Sequence, residues 1–147
     1  IAIAPLLVIY FGYGPQTIMA AAVFVSIFPI LASTMTGLDT IDKNLLELFK
    51  VYKLGPLKTL FYLKIPGSYS FIYSGLKISS GLSVIGVVAG EFVAGGGLGS
   101  LIDTSRTQQR IDLVFACLIG LAVIGLCQIM LLSFINSLIL RSRPFKL

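Results

Sequence analysis

The chain contains no histidine and no tryptophan, and it has only two cysteines. The absence of histidine excludes imidazole acid–base catalysis and histidine-ligated metal sites. Cys117 and Cys127 both lie in an apolar run; on one helix they would be about 15 Å apart, which is too far for a disulfide. We expect both thiols to be buried and unreactive, as free cysteines in apolar segments usually are.

Charge is also scarce. Only 12% of the 147 residues are charged and 56% are hydrophobic, whereas soluble domains carry about 25% charged residues. A domain of this size could not cover so much apolar area in water. The composition therefore indicates a protein whose solvent is lipid.

Three long apolar runs account for this composition. Residues 16–38 and 113–140 carry no charge, and residues 67–93 carry only Lys77 and Glu91. A helix of 23 residues is roughly 34 Å long, enough to cross a bilayer core. The runs predict three transmembrane helices.

The chain begins within another apolar segment, residues 1–11, which has no initiating methionine and no basic flank. It lacks the basic start of a signal peptide, so we interpret it as the tail of an earlier membrane segment. The expectation is a C-terminal fragment of a larger membrane protein.

The basic residues indicate which way the helices point. The connection 39–66 carries Lys43, Lys50, Lys53, Lys58 and Lys64, and the segment after the third run carries Arg141, Arg143 and Lys146. The other connection has only Arg106 and Arg110. The positive-inside rule predicts that residues 39–66 and the C-terminus are cytoplasmic. The net charge of +5 then reflects topology, and nucleic acid is not an expected partner.

The connection 39–66 is patterned as two short helices. Its apolar stripe has helical spacing and consists of Ile41, Leu45, Leu48, Phe49 and Tyr52. We expect Asp39 to cap the first helix, and Gly55 with the proline after it to end that helix. Two interpretations remain open: a hairpin that lies on the inner leaflet with its lysines on lipid phosphates, or a docking element for a soluble partner.

The segment from Glu47 to Pro66 resembles the cytoplasmic signature of bacterial ABC importer permeases. In that family a Glu-Ala-Ala start, a glycine at the position of Lys53 and an Ile-x-Leu-Pro end recur at this spacing. Here Leu48 and Phe49 replace the two alanines, and Gly55 follows the glycine position two residues later. Segments outside the loop, among them Gly-Glu-Phe at 90–92 and Gly-Leu-Gly at 97–99, are similar to permeases of the nitrate, sulfonate and taurine group.

The resemblance implies an all-α, polytopic transmembrane bundle without catalysis of its own. In the family the hairpin docks on an ATP-binding subunit that holds ATP and Mg²⁺; two permease copies pair, and an extracytoplasmic solute-binding protein delivers cargo. The implied docking residues are Ile41, Leu45, Glu47, Leu48, Phe49, Tyr52, Gly55 and Pro66. This chain has no phosphate-binding loop, because the glycine run at 95–99 has no lysine.

Within the spans, Lys77 and Glu91 are candidates for a pathway or gate. Each also has a structural interpretation. Lys77 can extend toward the cytoplasmic headgroups, and Glu91 can bind the glycine-rich backbone that follows it. Gly86 and Gly90 have the spacing of a helix-packing motif, although small residues equally suit a pathway wall.

The sequence therefore predicts the permease subunit of an ATP-driven importer in the bacterial inner membrane. We expect a small anion such as a sulfonate, taurine or nitrate as its cargo. Alternatives are the same machinery importing a pyrimidine- or riboflavin-type vitamin precursor, or an ion-coupled secondary transporter, which should show midplane charges and inverted repeats. A membrane enzyme is disfavoured, because the acidic residues of the loops are divided between two sides.

Overall fold

The structure, a computed structural model, describes residues 4–141, and these residues are almost entirely helical with no β-strand among them. The all-α class is therefore confirmed. The helices are α1 (Ala4–Phe11), α2 (Pro15–Asp39), α3 (Lys43–Val51), α4 (Pro56–Thr59), a π-helical turn (Leu60–Lys64), α5 (Ile65–Gly67), α6 (Tyr69–Ala94), α7 (Gly97–Thr107) and α8 (Ile111–Arg141).

Three helices are long and apolar enough to cross a membrane: Pro15–Asp39, Tyr69–Ala94 and, within α8, Ile111–Ile139. The shortest of them has 25 residues, or about 38 Å at the rise of an α-helix. These helices coincide with the three apolar runs to within about two residues at each end. Length and composition thus suit a bilayer core.

Two predictions extend beyond the described residues. Most of the predicted segment 1–11 forms helix α1, whereas residues 1–3 lie outside the part of the chain that the structure describes. Arg143 and Lys146, which contribute to the predicted cytoplasmic C-terminus, also lie outside it.

The chain divides into two compact units. In the unit formed by residues 1–27 and 79–147, helices α2 and α6 approach each other at their backbones. A Cβ added to Gly86 would lie 2.7 Å from the Ala22 Cα, and one added to Gly90 would lie 2.9 Å from the Ile18 Cα. The hydroxyl of Ser79 donates a 2.7 Å hydrogen bond to the carbonyl of Ser26. Only hydrogen side chains at these two glycines allow this distance between the helices.

The unit Phe28–Ile78 contains the hairpin and the parts of α2 and α6 that flank it. A Cβ on Gly75 would lie 2.8 Å from the Ser33 Cβ and 3.0 Å from the carbonyl oxygen of Pro29. A Cβ on Gly37 would lie 2.7 Å from the Phe71 Cβ. Small residues therefore set the helix separation in this unit too.

The two cysteines differ in exposure. Cys117 is buried, as expected, but Cys127 is exposed, so the expectation for Cys127 was wrong. The physical reason is that the surface of α8 is itself apolar: Phe115, Ile119, Met130 and Phe134 are all exposed. In a helix whose solvent is lipid, an apolar neighbourhood does not indicate burial within the protein.

Helix α3 ends in a Schellman turn whose left-handed residue is a lysine. Lys53 has φ of +51°; its N–H bonds the carbonyl of Lys50 at 2.9 Å, and the Leu54 N–H bonds the carbonyl of Phe49 at 3.2 Å. These two bonds define the motif, which normally has glycine at the left-handed position. The first helix of the hairpin therefore ends before Gly55, and the turn lies at the position where the resembling family has glycine.

Glycine packing in the spans predicts a difference between two alanine substitutions. Gly86→Ala should lower the free energy of unfolding of the purified protein by about 1–3 kcal/mol, because its Cβ meets the backbone of the facing helix. Gly81→Ala is the matched control on the same helix, since nothing lies within 4 Å of its added Cβ. Thermal unfolding in detergent checks both, and equal midpoints would show that the close approach contributes no stability.

The lysine turn predicts that Lys53→Gly stabilises the hairpin. Removing a left-handed non-glycine residue should favour the folded turn by about 1 kcal/mol. Hydrogen exchange of the α3 amides in the purified protein should slow severalfold. Lys50→Gly, in the last turn of the same helix, should accelerate exchange instead. Faster exchange in Lys53→Gly would contradict this account of the turn.

Candidate functional site

The hairpin between α2 and α6 begins with a side-chain cap. The carboxylate of Asp42 accepts a 2.9 Å hydrogen bond from the N–H of Asn44 at the start of α3. Asp39, the predicted cap, is instead the last residue of α2. The prediction was wrong because α2 continues to the end of its apolar run, which leaves Asp42 as the first acidic residue outside a helix.

The predicted stripe of α3 divides between two surroundings. Ile41 and Leu45 line a cavity of about 200 Å³ at the base of the hairpin, together with Leu63, Gly67 and Phe71. A Cβ on Gly67 would be 3.8 Å from Ile41. These two members of the stripe therefore lie beside the base of the hairpin, although Leu45 is still 44% exposed.

The other members of the stripe lie further from this base. Leu48 is 48% exposed and Tyr52 is 71% exposed, while Phe49 is half-buried. Glu47 is exposed on α3. Within residues 4–141 its carboxylate forms no ion pair.

Residues after the turn add apolar surface that the sequence pattern did not indicate. We define the tip surface as the most exposed large apolar side chains on both sides of the turn: Val51, Tyr52, Leu57, Phe61 and Tyr62, each at least 64% exposed. Of these, only Tyr52 was predicted. Of the four missed residues, Val51 ends α3 before the turn and the other three follow it. After the turn a π-helical segment, Leu60–Lys64, interrupts the 3.6-residue period that reveals an amphipathic helix.

Gly55 and Pro66 have local structural roles in the second arm of the hairpin. Gly55 has extended backbone and precedes α4 as its N-cap residue, with a proline as the first helical residue. Pro66 lies within α5 and is exposed. Both positions shape the arm, and their part in docking stays a prediction.

The two charges of α6 have different surroundings. Lys77 is exposed, and its ammonium group forms no ion pair with any side chain that the structure describes. Glu91 is partly buried, and its Oε2 accepts a 2.5 Å hydrogen bond from the N–H of Gly99. Of the two interpretations of Glu91, contact with the glycine-rich backbone is the one observed in this structure.

Other sites in the spans offer little chemistry. An apolar groove of about 530 Å³ lies between α6 and α8; it is lined by Val84, Ile85, Val88, Ala89, Phe92, Val93, Leu121 and Ala122. Within residues 4–141, no group of acidic, cysteine or histidine side chains could hold a metal ion.

Comparison with known proteins identifies the family. Residues 1–142 match the model of the binding-protein-dependent transport system inner membrane component family. A probable ABC transporter permease of Haemophilus influenzae is 37% identical over 127 residues, which cover 86% of this chain and 52% of that protein. The chain spans about half the length of the curated relatives it matches.

Two further relatives are named for different cargoes. The riboflavin transport system permease of Chloroflexus aurantiacus is 31% identical over 142 residues, covering 96% of this chain and 53% of that protein. A nitrate import permease of a Synechocystis strain is 29% identical over 124 residues, covering 81% of this chain and 45% of that protein. The match to the family model and the identity to these permeases agree with the resemblance of the hairpin and of the Gly-Glu-Phe and Gly-Leu-Gly segments. The chain belongs to the binding-protein-dependent transport system inner membrane component family, the permeases of ABC transporters.

Proposed function

We propose that this chain is part of the membrane-spanning subunit of an ATP-driven importer in the bacterial inner membrane. Family membership and three helices able to span a bilayer support this proposal. The observation that carries it is the tip surface, an exposed apolar patch on a hairpin between two of those helices.

The tip surface supports docking of a separate ATP-binding subunit. Its five large apolar side chains cost free energy while they face water, and a partner that covers them recovers about 25 cal/mol per Å². Because the patch is formed by both sides of one turn, a cleft that accepts the turn would contact all five. Glu47 is exposed on α3 and is free to add a polar contact at the rim of such a cleft.

ATP hydrolysis is assigned to that partner. The chain has no Gly-x-x-x-x-Gly-Lys-Ser/Thr loop with which to hold a nucleotide. ATP and Mg²⁺ would therefore bind to the ATPase, and the hairpin would transmit its movement. Since α2 and α6 flank the hairpin, a partner-driven shift of the hairpin would bias both helices together.

A complete transporter requires more chains. Three spans cannot enclose a solute pathway, so we propose that the permease pairs with a second copy. The family description names dependence on a binding protein, which supports delivery of cargo by an extracytoplasmic solute-binding protein. These partners complete the importer; the lipid bilayer covers the exposed apolar faces of the spans.

The cargo is proposed to be a small anion such as a sulfonate, taurine or nitrate. Lys77 supports this choice, because an exposed cation inside a span is costly in lipid and favours a polar, water-filled surrounding. The nitrate relative is consistent with an anion. The second candidate is a vitamin precursor, which the riboflavin relative favours.

Docking predicts that a carboxylate on the tip surface weakens binding of the ATPase. Phe61→Asp should reduce the ATPase that co-purifies with the full-length permease by about tenfold or more, because the new charge would be buried in an apolar interface. Gln108→Asp is the matched control: it adds the same charge at an exposed residue outside the hairpin. Quantitative co-purification from membranes measures both.

Two results would contradict this assignment. One is full recovery of the ATPase with Phe61→Asp. The other is equal loss with Gln108→Asp, which would indicate a general effect of charge. If Phe61→Asp retains the ATPase and instead detaches the hairpin from anionic vesicles, the hairpin is an interfacial element on the inner leaflet.

The proposed topology predicts opposite labelling of two loops. In a protein with Cys117→Ser and Cys127→Ser, Lys58→Cys should react with a membrane-impermeant maleimide only in inside-out vesicles. Thr107→Cys should react only in right-side-out cells, because the positive-inside rule places the lysine-rich hairpin in the cytoplasm. Labelling of both residues from one side would exclude a single membrane crossing, by α6, between them.

A further inference from the structure

Glu91 lies at the junction between α6 and α7, where the chain reverses through three glycines. Gly95, Gly96 and Gly97 have φ of +77°, +86° and +71°. This turn brings the N-terminus of α7 back toward the end of α6. The Oε2 of Glu91 accepts the hydrogen bond from the N–H of Gly99, the third residue of α7.

The fit of this carboxylate depends on the absence of side chains around it. A Cβ on Gly97 would overlap the carboxylate of Glu91. A Cβ on Gly99 would lie 2.8 Å from Oε2 and 2.9 Å from the carbonyl oxygen of Val88. Both glycines are therefore needed to seat the carboxylate, and Gly97 is needed for its left-handed backbone as well.

Helix α7 has no other cap at this end. Its N-cap residue is Gly96, which has no side chain to accept a hydrogen bond. The first N–H groups of a helix lack intrahelical partners and carry partial positive charge. Glu91 supplies the missing acceptor together with a negative charge, from the preceding helix.

The rest of α7 packs on α8. A Cβ on Gly120 of α8 would lie 3.8 Å from the Leu98 Cδ1. Ser105, near the other end of α7, is only 2% exposed. Helix α7 is thus held at its start by Glu91 and along its length by α8.

We propose that Glu91 is a positioning residue: its carboxylate fixes α7 to the end of α6 through Gly99, instead of contacting the transported solute. The inference rests on the proposed function only for the setting of α7, which would lie at the extracytoplasmic mouth of the pathway. The seating of the carboxylate between Gly97 and Gly99 does not depend on the solute.

Cysteine accessibility tests this seat in the full-length permease, purified in detergent with Cys117→Ser and Cys127→Ser. Ser105→Cys reports on α7, because this residue is only 2% exposed and a thiol there reacts with maleimide only when the packing around α7 opens. Glu91→Ala should accelerate the labelling about tenfold, and Glu91→Gln, which keeps an acceptor but loses the charge, about threefold. A labelling rate for Glu91→Gln between those of the parent and Glu91→Ala would indicate capping, because a general loss of structure would not depend on whether the new side chain can accept a hydrogen bond.

Matched glycine variants identify the carboxylate as the cause. Gly97→Ala should accelerate labelling as Glu91→Ala does, because the methyl group displaces the carboxylate. Gly95→Ala introduces the same left-handed strain but has nothing within 4 Å of its added Cβ. The cysteine at position 105 should therefore react much more slowly in Gly95→Ala than in Gly97→Ala. Asp103→Asn removes an exposed carboxylate of α7. In this variant the cysteine at position 105 should react at the same rate as in the parent protein.

Two results would overturn the inference: an unchanged labelling rate in Glu91→Ala, or equal acceleration by Gly95→Ala and Gly97→Ala. Co-purification of the ATPase, measured on the same samples, addresses the proposed function separately. Loss of the ATPase already in the parent protein would refute that function, whereas the labelling pattern would still decide the role of Glu91.

Discussion

The close approach of α2 and α6 is the constraint on which the rest of the structure depends. Apolar side chains gain little from helix association in lipid, because the surrounding tails are equally apolar. The contact instead uses close packing at glycines: Gly86 and Gly90 lie against the backbone of α2 in one unit, and Gly37 and Gly75 lie mainly against side chains in the other. The same two helices flank the hairpin, which begins after α2 ends at Asp39 and ends where α6 begins at Tyr69.

The hairpin combines a base that packs on its own chain with a tip that does not. Ile41 and Leu45 face the residues at its base, while Phe61 and Tyr62 are exposed beyond the turn. This division is consistent with the proposed coupling, in which the tip would contact the ATPase and the base would pass its movement to the flanking helices. The left-handed Lys53 keeps the turn tight although the residue is not glycine.

Much of this architecture could be predicted from the sequence. The runs without charge predicted the bounds of the three long helices to within one helical turn, because a charge inside a span is costly. The local details were harder. The cap at Asp42 depends on how far α2 extends, the exposure of Cys127 depends on which face of α8 meets its neighbours, and the tip surface depends on a π-helical turn without a sequence signal.

The environment of Glu91 illustrates the same limit. The sequence left open whether this residue contacts solute or the following glycines, because periodicity does not show how a chain reverses direction. In the structure three left-handed glycines bring the Gly99 N–H to the carboxylate, a contact that the sequence pattern alone does not show. A charge within an apolar segment can therefore serve a neighbouring helix terminus as readily as a transport pathway.

The central claim is that the hairpin binds a separate ATPase through its tip. Hydrogen exchange of the full-length permease, measured with and without the purified ATPase, tests it most directly. The account predicts slower exchange at the amides of residues 51–62 and unchanged exchange in α7. Unchanged exchange throughout the hairpin, with the ATPase bound elsewhere on the permease, would contradict it.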